Sequence, residues 1–111
     1  MAIMTEELAG GITKVTLDGR LDIENSPAVD SQMKVIADGG NSVLVDMSNV
    51  SFLGSMGLRA LVGPALVIRG RGGKMVLFGP NAMVSKVLKV SGIENMIPVH
   101  HEIASAMAAL Q

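Results

Sequence analysis

Apolar residues along this chain fall into runs whose period switches between two and three-to-four, and each switch marks an element. Residues 3–8 and 12–17 have strand character, with Ile12, Lys14 and Thr16 alternating against Thr13, Val15 and Leu17. Ala9-Gly10-Gly11 between them reads as a turn, so the chain is predicted to open on a β-hairpin. A helix is predicted from about Pro27 to Ala37, burying Val29, Met33, Ile36 and Ala37. Asn25 or Ser26 supplies its cap ahead of a proline tolerated in the first turn, and Gly39-Gly40 permits a left-handed C-terminal cap.

Next comes the stretch around which the rest is organised. Val43–Met47 is a short run rich in β-branched residues and predicts a buried strand; a polar turn follows, and from Leu58 the apolar residues fall at Leu58, Leu61, Val62, Ala65 and Ile68. That spacing paints one face of a helix, with Ser55 at or just before its N-terminus. Gly63-Pro64 inside this helix predicts a kink or local break, because an interior proline removes one hydrogen bond and clashes with the preceding turn. Apolar residues from Ala60 to Ile68 are nearly continuous, more than a one-sided helix needs, which leaves part of the face for a partner or for a second copy in a weak homodimer.

Lys74–Phe78 reads as a strand ending at Gly79-Pro80, and a helix follows from Asn81 through Met83, Val84, Val87, Leu88 and Val90 to Ser91-Gly92. Ile93–Val99 reads as a last strand, which Pro98 confines to an edge or a strand end, and Glu102–Leu110 as a final amphipathic helix using Ile103, Ala106, Met107 and Leu110. A central strand with helices on both sides in sequence requires crossover connections. The expected fold is therefore α/β, a mixed, mainly parallel sheet of about five strands, with about four helices.

Composition narrows the function. One hundred and eleven residues make one small domain with one core. Hydrophobic residues are 49%, charged ones 17% and the net charge is −1, so the chain is not built for a polyanion; with two Phe as its aromatics it offers no stacking platform, and nucleic acid is not an expected partner. The N-terminus lacks the basic and apolar segments of a signal peptide, and no apolar run approaches the roughly 20 residues that span a bilayer, so no membrane insertion is expected. Cysteine is absent, which points to a cytoplasmic setting.

Two tempting motifs fail on inspection. Arg69-Gly70-Arg71-Gly72-Gly73-Lys74 lacks the spacing of a phosphate-binding loop, since Ile68 stands at the first glycine position and Met75 follows the lysine. It reads as a basic helix end and a glycine-rich turn. His100-His101 point to opposite faces if extended and have no spaced third ligand, so they read as a solvated turn. Nothing here assembles a nucleophile with a base, a metal set or a paired carboxylate site: no enzyme and no cofactor are expected.

Ser55 is the residue with chemistry to offer. At a helix N-terminus, backbone N–H groups lack intrahelical partners and the aligned dipoles favour negative charge. Its hydroxyl can accept a hydrogen bond from an N–H two or three residues on, capping the helix, or it can be exposed and accept a phosphoryl group. Spacing alone favours the cap.

Resemblance to a family changes that balance. Val43–Leu61 resembles the signature of the STAS domain, the fold of bacterial anti-sigma factor antagonists, in which a strand runs into a D-S-[ST]-G-L turn; the turn here is Gly54-Ser55-Met56-Gly57-Leu58. Gly54 stands where Asp is usual and Met56 where Ser or Thr is usual. A second resemblance lies in Gly19-Arg20-Leu21-Asp22, similar to the G-x-L-D stretch at the end of that family's first long strand, where Asp22 matches an aspartate and Asn25 a polar position near the first helix. The element order also resembles the STAS fold, over nearly all of residues 1–111.

What this resemblance implies is an antagonist that binds an anti-sigma factor serine kinase and releases the sigma factor. The kinase then phosphorylates Ser55, weakening the complex, and a serine phosphatase restores it. Asp22, Asn25, Gly54, Ser55, Met56, Gly57 and Arg59 are the expected partner-binding residues, with Asn25 and Ser26 expected to serve chiefly as caps and Asp22 to lie beside the Ser55 turn. Gly54 and Met56 support an alternative, a docking subunit of a transporter or sensory complex without the phosphorylation cycle. A third is a small-ligand or lipid binder using the apolar helix around Gly63-Pro64, which the nine adaptable methionines fit loosely.

Overall fold

The computed structural model describes residues Met1–Gln111. Ten elements follow in order: β1 (Ala2–Leu8), β2 (Ile12–Leu21), α1 (Ser26–Asp38), β3 (Ser42–Leu53), α2 (Ser55–Gly70), β4 (Met75–Phe78), α3 (Ala82–Ser91), a 3-10 turn (Ile93–Asn95), β5 (Val99–His100) and α4 (Ile103–Ala109). The strands form one sheet in sequence order, β1-β2-β3-β4-β5. β1 is antiparallel to β2, and every later pair is parallel. The opening hairpin turns through Gly10 and Gly11, both at positive φ (85° and 73°), a conformation glycine adopts without a Cβ penalty.

Alternation along the central strands separates two faces. Val43, Val45, Met47, Met75 and Leu77 join the main core with α1, α2 and α3, whereas Ile12, Leu44 and Val76 face α4 through Ala106 and Leu110. Three helices thus cover one face and one short helix part of the other. No helix is long and apolar enough to cross a membrane.

Several expectations need correction. The local break expected at Gly63-Pro64 does not occur, since α2 continues from Ser55 to Gly70 through a buried Pro64. Gly63 eases this: the clash between a proline ring and the preceding Cβ is absent when that residue is glycine. β3 continues past Met47 to Leu53, because β2 itself extends to Leu21 and pairs with it throughout. The predicted strand Ile93–Val99 is instead a 3-10 turn followed by a two-residue β5. Gly92, at φ 78°, ends α3 in a left-handed cap and turns the chain so that Ile93 and Ile97 enter the core. His100 belongs to β5, opposite Phe78, and only His101 lies in the turn. The glycine-rich Arg69–Lys74 stretch is a helix end and turn, anchored by Arg71, whose Nε donates to the Ala37 carbonyl (2.8 Å) and whose Nη2 donates to that of Asn41 (2.6 Å).

Candidate functional site

β2 and β3 end side by side, and there the site is built. Leu21 pairs with Leu53, and the Gly54 amide donates to the Leu21 carbonyl at 3.1 Å, tying the two strand ends together where α2 begins. Gly54 is the N-cap in extended conformation, and its carbonyl accepts from the Leu58 amide (3.0 Å). Ser55 is therefore the first helical residue, not the cap. Its side chain is exposed and no side chain caps α2, so the hydroxyl stands free for chemistry.

The loop after β2 is held by its own polar groups. Asp22 Oδ1 accepts from the Asn25 amide (3.1 Å), the Asp22 carbonyl accepts from both the amide and the hydroxyl of Ser26, and Asn25 Nδ2 donates to the Arg20 carbonyl (2.8 Å). Asn25 occupies the N-cap position of α1 without a side-chain cap bond, and Ser26 is buried in the first turn. Neither side chain caps α1, because each turns back to the loop, Asn25 to the Arg20 carbonyl and Ser26 to that of Asp22.

Asp22, Gly54, Ser55 and Met56 line one open hollow of about 460 Å³, whose remaining wall is Arg20, Ile23, Glu24 and Phe52. Arg59 lines a neighbouring hollow of about 380 Å³ between α1 and α2, sharing Met56 with the first and facing Asp30 and Lys34. Gly57 is buried under the helix: a Cβ there lies 2.6 Å from the Leu21 carbonyl oxygen, so it seats α2 and presents no surface. Asn25 lines neither hollow and acts on the loop from behind Asp22.

Sequence reading passed over Arg20 and Phe52. They are register partners across β2 and β3, with the guanidinium carbon 4.5 Å from the ring centre, and Arg20 Nε lies 3.4 Å from Asp22 Oδ2. The pairing follows from two irregularities, between Thr16 and Asp18 and between Gly19 and Arg20, at each of which β3 advances one residue further than β2. Such bulges re-aim side chains next to sites. The one sequence signal was Arg20 and Asp22 at a two-residue spacing, which puts extended side chains on one side. Ile23, 72% exposed, adds an apolar contact at the rim that no core claims.

The Asn25 amide, assisted by the Arg20 guanidinium, holds the Asp22 carboxyl below its ordinary range. A carboxylate depressed on folding contributes stability above its unfolded pKa and loses it as pH falls through the folded value. Asp22→Asn is thus expected to melt lower than wild type at neutral pH, with the gap narrowing below about pH 4 and closing in stronger acid. Thermal melts of both proteins across that range check it; a gap that persists in strong acid assigns the loss to something other than the charge.

The family profile described as the STAS domain matches residues 4–106. The anti-sigma F factor antagonist of Paenibacillus polymyxa is 27% identical over 103 residues, spanning 91% of this chain and 88% of that protein. Among solved structures, an anti-sigma-factor antagonist (STAS) domain protein from Planctomyces limnophilus superposes with a TM-score of 0.86 at 23% identity, covering 98% and 97% of the two chains. SpoIIAA in its unphosphorylated form gives 0.79 at 19% identity over 97% and 95%, and the Bacillus SpoIIAA in its phosphorylated form 0.73 at 18% over 99% and 100%.

Proposed function

The chain belongs to the STAS domain family, and from that premise we propose that it is an anti-sigma factor antagonist controlled by phosphorylation of Ser55. In this reading the unmodified protein, in the cytoplasm, binds a serine-kinase anti-sigma factor and frees the sigma factor. The kinase transfers the terminal phosphoryl group of ATP to the Ser55 hydroxyl, the complex weakens, and a serine phosphatase resets it. The observation that carries the reading is the free, exposed Ser55 hydroxyl in a hollow shared with Asp22, in a chain whose relatives over nearly its full length are named anti-sigma factor antagonists.

The switch is local electrostatics. A phosphate adds roughly −1.5 to −2 charge and three acceptor oxygens where a partner must pack. Ser55, Met56, Asp22 and Arg59 form the partner surface on this reading, Gly54 leaves it open, Asn25 holds the Asp22 loop in shape, and Gly57 seats the helix beneath.

Incubation with the cognate anti-sigma kinase and ATP tests it. Intact mass should rise by one phosphate in wild type and stay constant in Ser55→Ala, and Ser55→Asp should bind the kinase about tenfold more weakly, on the order of 1.4 kcal/mol. A protein that binds the kinase without ever gaining mass is a docking module lacking the cycle.

A further inference from the structure

Arg20 is the one cation lining the Ser55 hollow, and several features leave its guanidinium available. Its side chain is 59% exposed, and its contact with Asp22 is a single nitrogen at 3.4 Å. Exposed pairs of this kind contribute little. Asp22 is independently satisfied by the Asn25 amide, so it can release the arginine without being stranded. Phe52 holds the guanidinium against the face of its ring. A stacked guanidinium keeps its fork of N–H donors free at its edge, the geometry that matches two oxygens of a phosphate.

The surrounding charges set the competition. Asp22 and Glu24 on the loop after β2 repel an anion placed in this hollow, and β3 contributes only Phe52, with Gly54 and Ser55 following it. On α2, Arg59 faces the neighbouring hollow, where Asp30 and Lys34 lie. Arg20 is therefore the one cationic side chain that a group on Ser55 meets inside its own hollow, beside the uncapped N–H groups that open α2, and a dianion outcompetes the single charge of Asp22 for it.

Resting on the reading of Ser55 as phosphoacceptor, we propose that Arg20 is the internal counter-ion of phosphorylated Ser55, exchanging Asp22 for the phosphate when the modification arrives. The exchange makes the switch double. The phosphate is drawn back onto its own chain, and Arg20 is withdrawn from the surface while the Asp22 carboxylate loses its cation. A partner that reads the pattern of charge around the hollow meets a changed pattern as well as added bulk.

The test installs phosphoserine at position 55 by genetic encoding, so that no kinase is needed, and follows the phosphate by phosphorus NMR against pH. Its second ionisation ordinarily lies near pH ~6. In the protein with Arg20 the midpoint should fall about half a pH unit or more below that of the Arg20→Gln phosphoprotein, with Arg20→Lys recovering part of the difference. The gap should shrink in high salt, and the Arg20 Nε–H resonance should move with the phosphate titration. Equal midpoints in the Arg20 and Arg20→Gln phosphoproteins, with both folded by their amide spectra, overturn the proposal. Should the kinase fail to modify Ser55, the regulatory reading falls by its own mass measurement, and the titration still decides the counter-ion.

Discussion

Leu61→Ala is expected to destabilise the protein by about 2–5 kcal/mol, the largest loss among the substitutions considered. Leu61 has no exposed surface and lies in the main core, where α2 packs on the sheet with Ala60, Ala65 and Ile68. Truncation removes apolar burial and leaves a cavity that neighbours fixed in a β-sheet fill poorly. For a domain of this size each kcal/mol lowers the melting temperature by about 4–8 °C, so the drop should reach roughly 10 °C or more. Leu66→Ala is the control on the same helix. That side chain is 51% exposed, and its loss should stay within about 0.5 kcal/mol. Urea denaturation of both variants reads the difference; equal effects mean that α2 presents a different face to the sheet.

This contrast also shows what the sequence could reveal of α2. The spacing Leu58, Leu61, Val62, Ala65, Ile68 identified the inward face, of which Leu61, Ala65 and Ile68 are buried and Leu58 and Val62 pack at its edge. The surplus apolar residues are Leu66 and Val67, both on the outside (51% and 41% exposed). β3 was legible only to Met47. Beyond it Ser48, Asn49 and Ser51 are exposed and polar, so the apolar run ends although the strand does not; parallel pairing with β2 carries it on. Ile93–Val99 has the composition of a strand, but the left-handed Gly92 commits it to a tight turn, and composition does not encode that direction.

The site divides the same way. Ser55 could be placed at the start of α2 by the change of period, whereas its candidacy as acceptor and that of Asp22 beside it came from the resemblance of the Gly54–Leu58 turn and the Gly19–Asp22 stretch to the family's motifs. Arg20 and Phe52 could not be found, because they lie 32 positions apart and meet through a register with two irregularities. Without those shifts, strand periodicity assigns each side chain a different partner. The start of α1 was legible, with Asn25 as its N-cap residue, but the side chains of Asn25 and Ser26 turn back to the carbonyls of Arg20 and Asp22 instead of capping the helix.

Gly57→Ala sets two local rules against each other. Alanine is the better helix former by about 1 kcal/mol, so propensity alone predicts a gain in stability. Packing predicts a loss, since the added Cβ lies 2.6 Å from the Leu21 carbonyl oxygen, 2.7 Å from Leu21 Cγ and 2.9 Å from Leu53 Cδ1. The leucine side chains can turn aside, but the carbonyl is backbone and accepts the hydrogen bond of the Gly54 amide that closes the two strand ends. Overpacking against a fixed group should win, with a net loss of about 1–3 kcal/mol in denaturant unfolding. The strain is relieved by lifting the first turn of α2 from β2, and this carries Ser55 away from Asp22. On the proposed reading of Ser55 as phosphoacceptor, its phosphorylation should then slow as well, by roughly tenfold or more in kcat/KM, because misplacing a reacting group by about 1 Å is costly. A variant that instead gains stability and keeps its phosphorylation rate shows that α2 does not sit against Leu21, and the shared hollow of Ser55 and Asp22 fails with it.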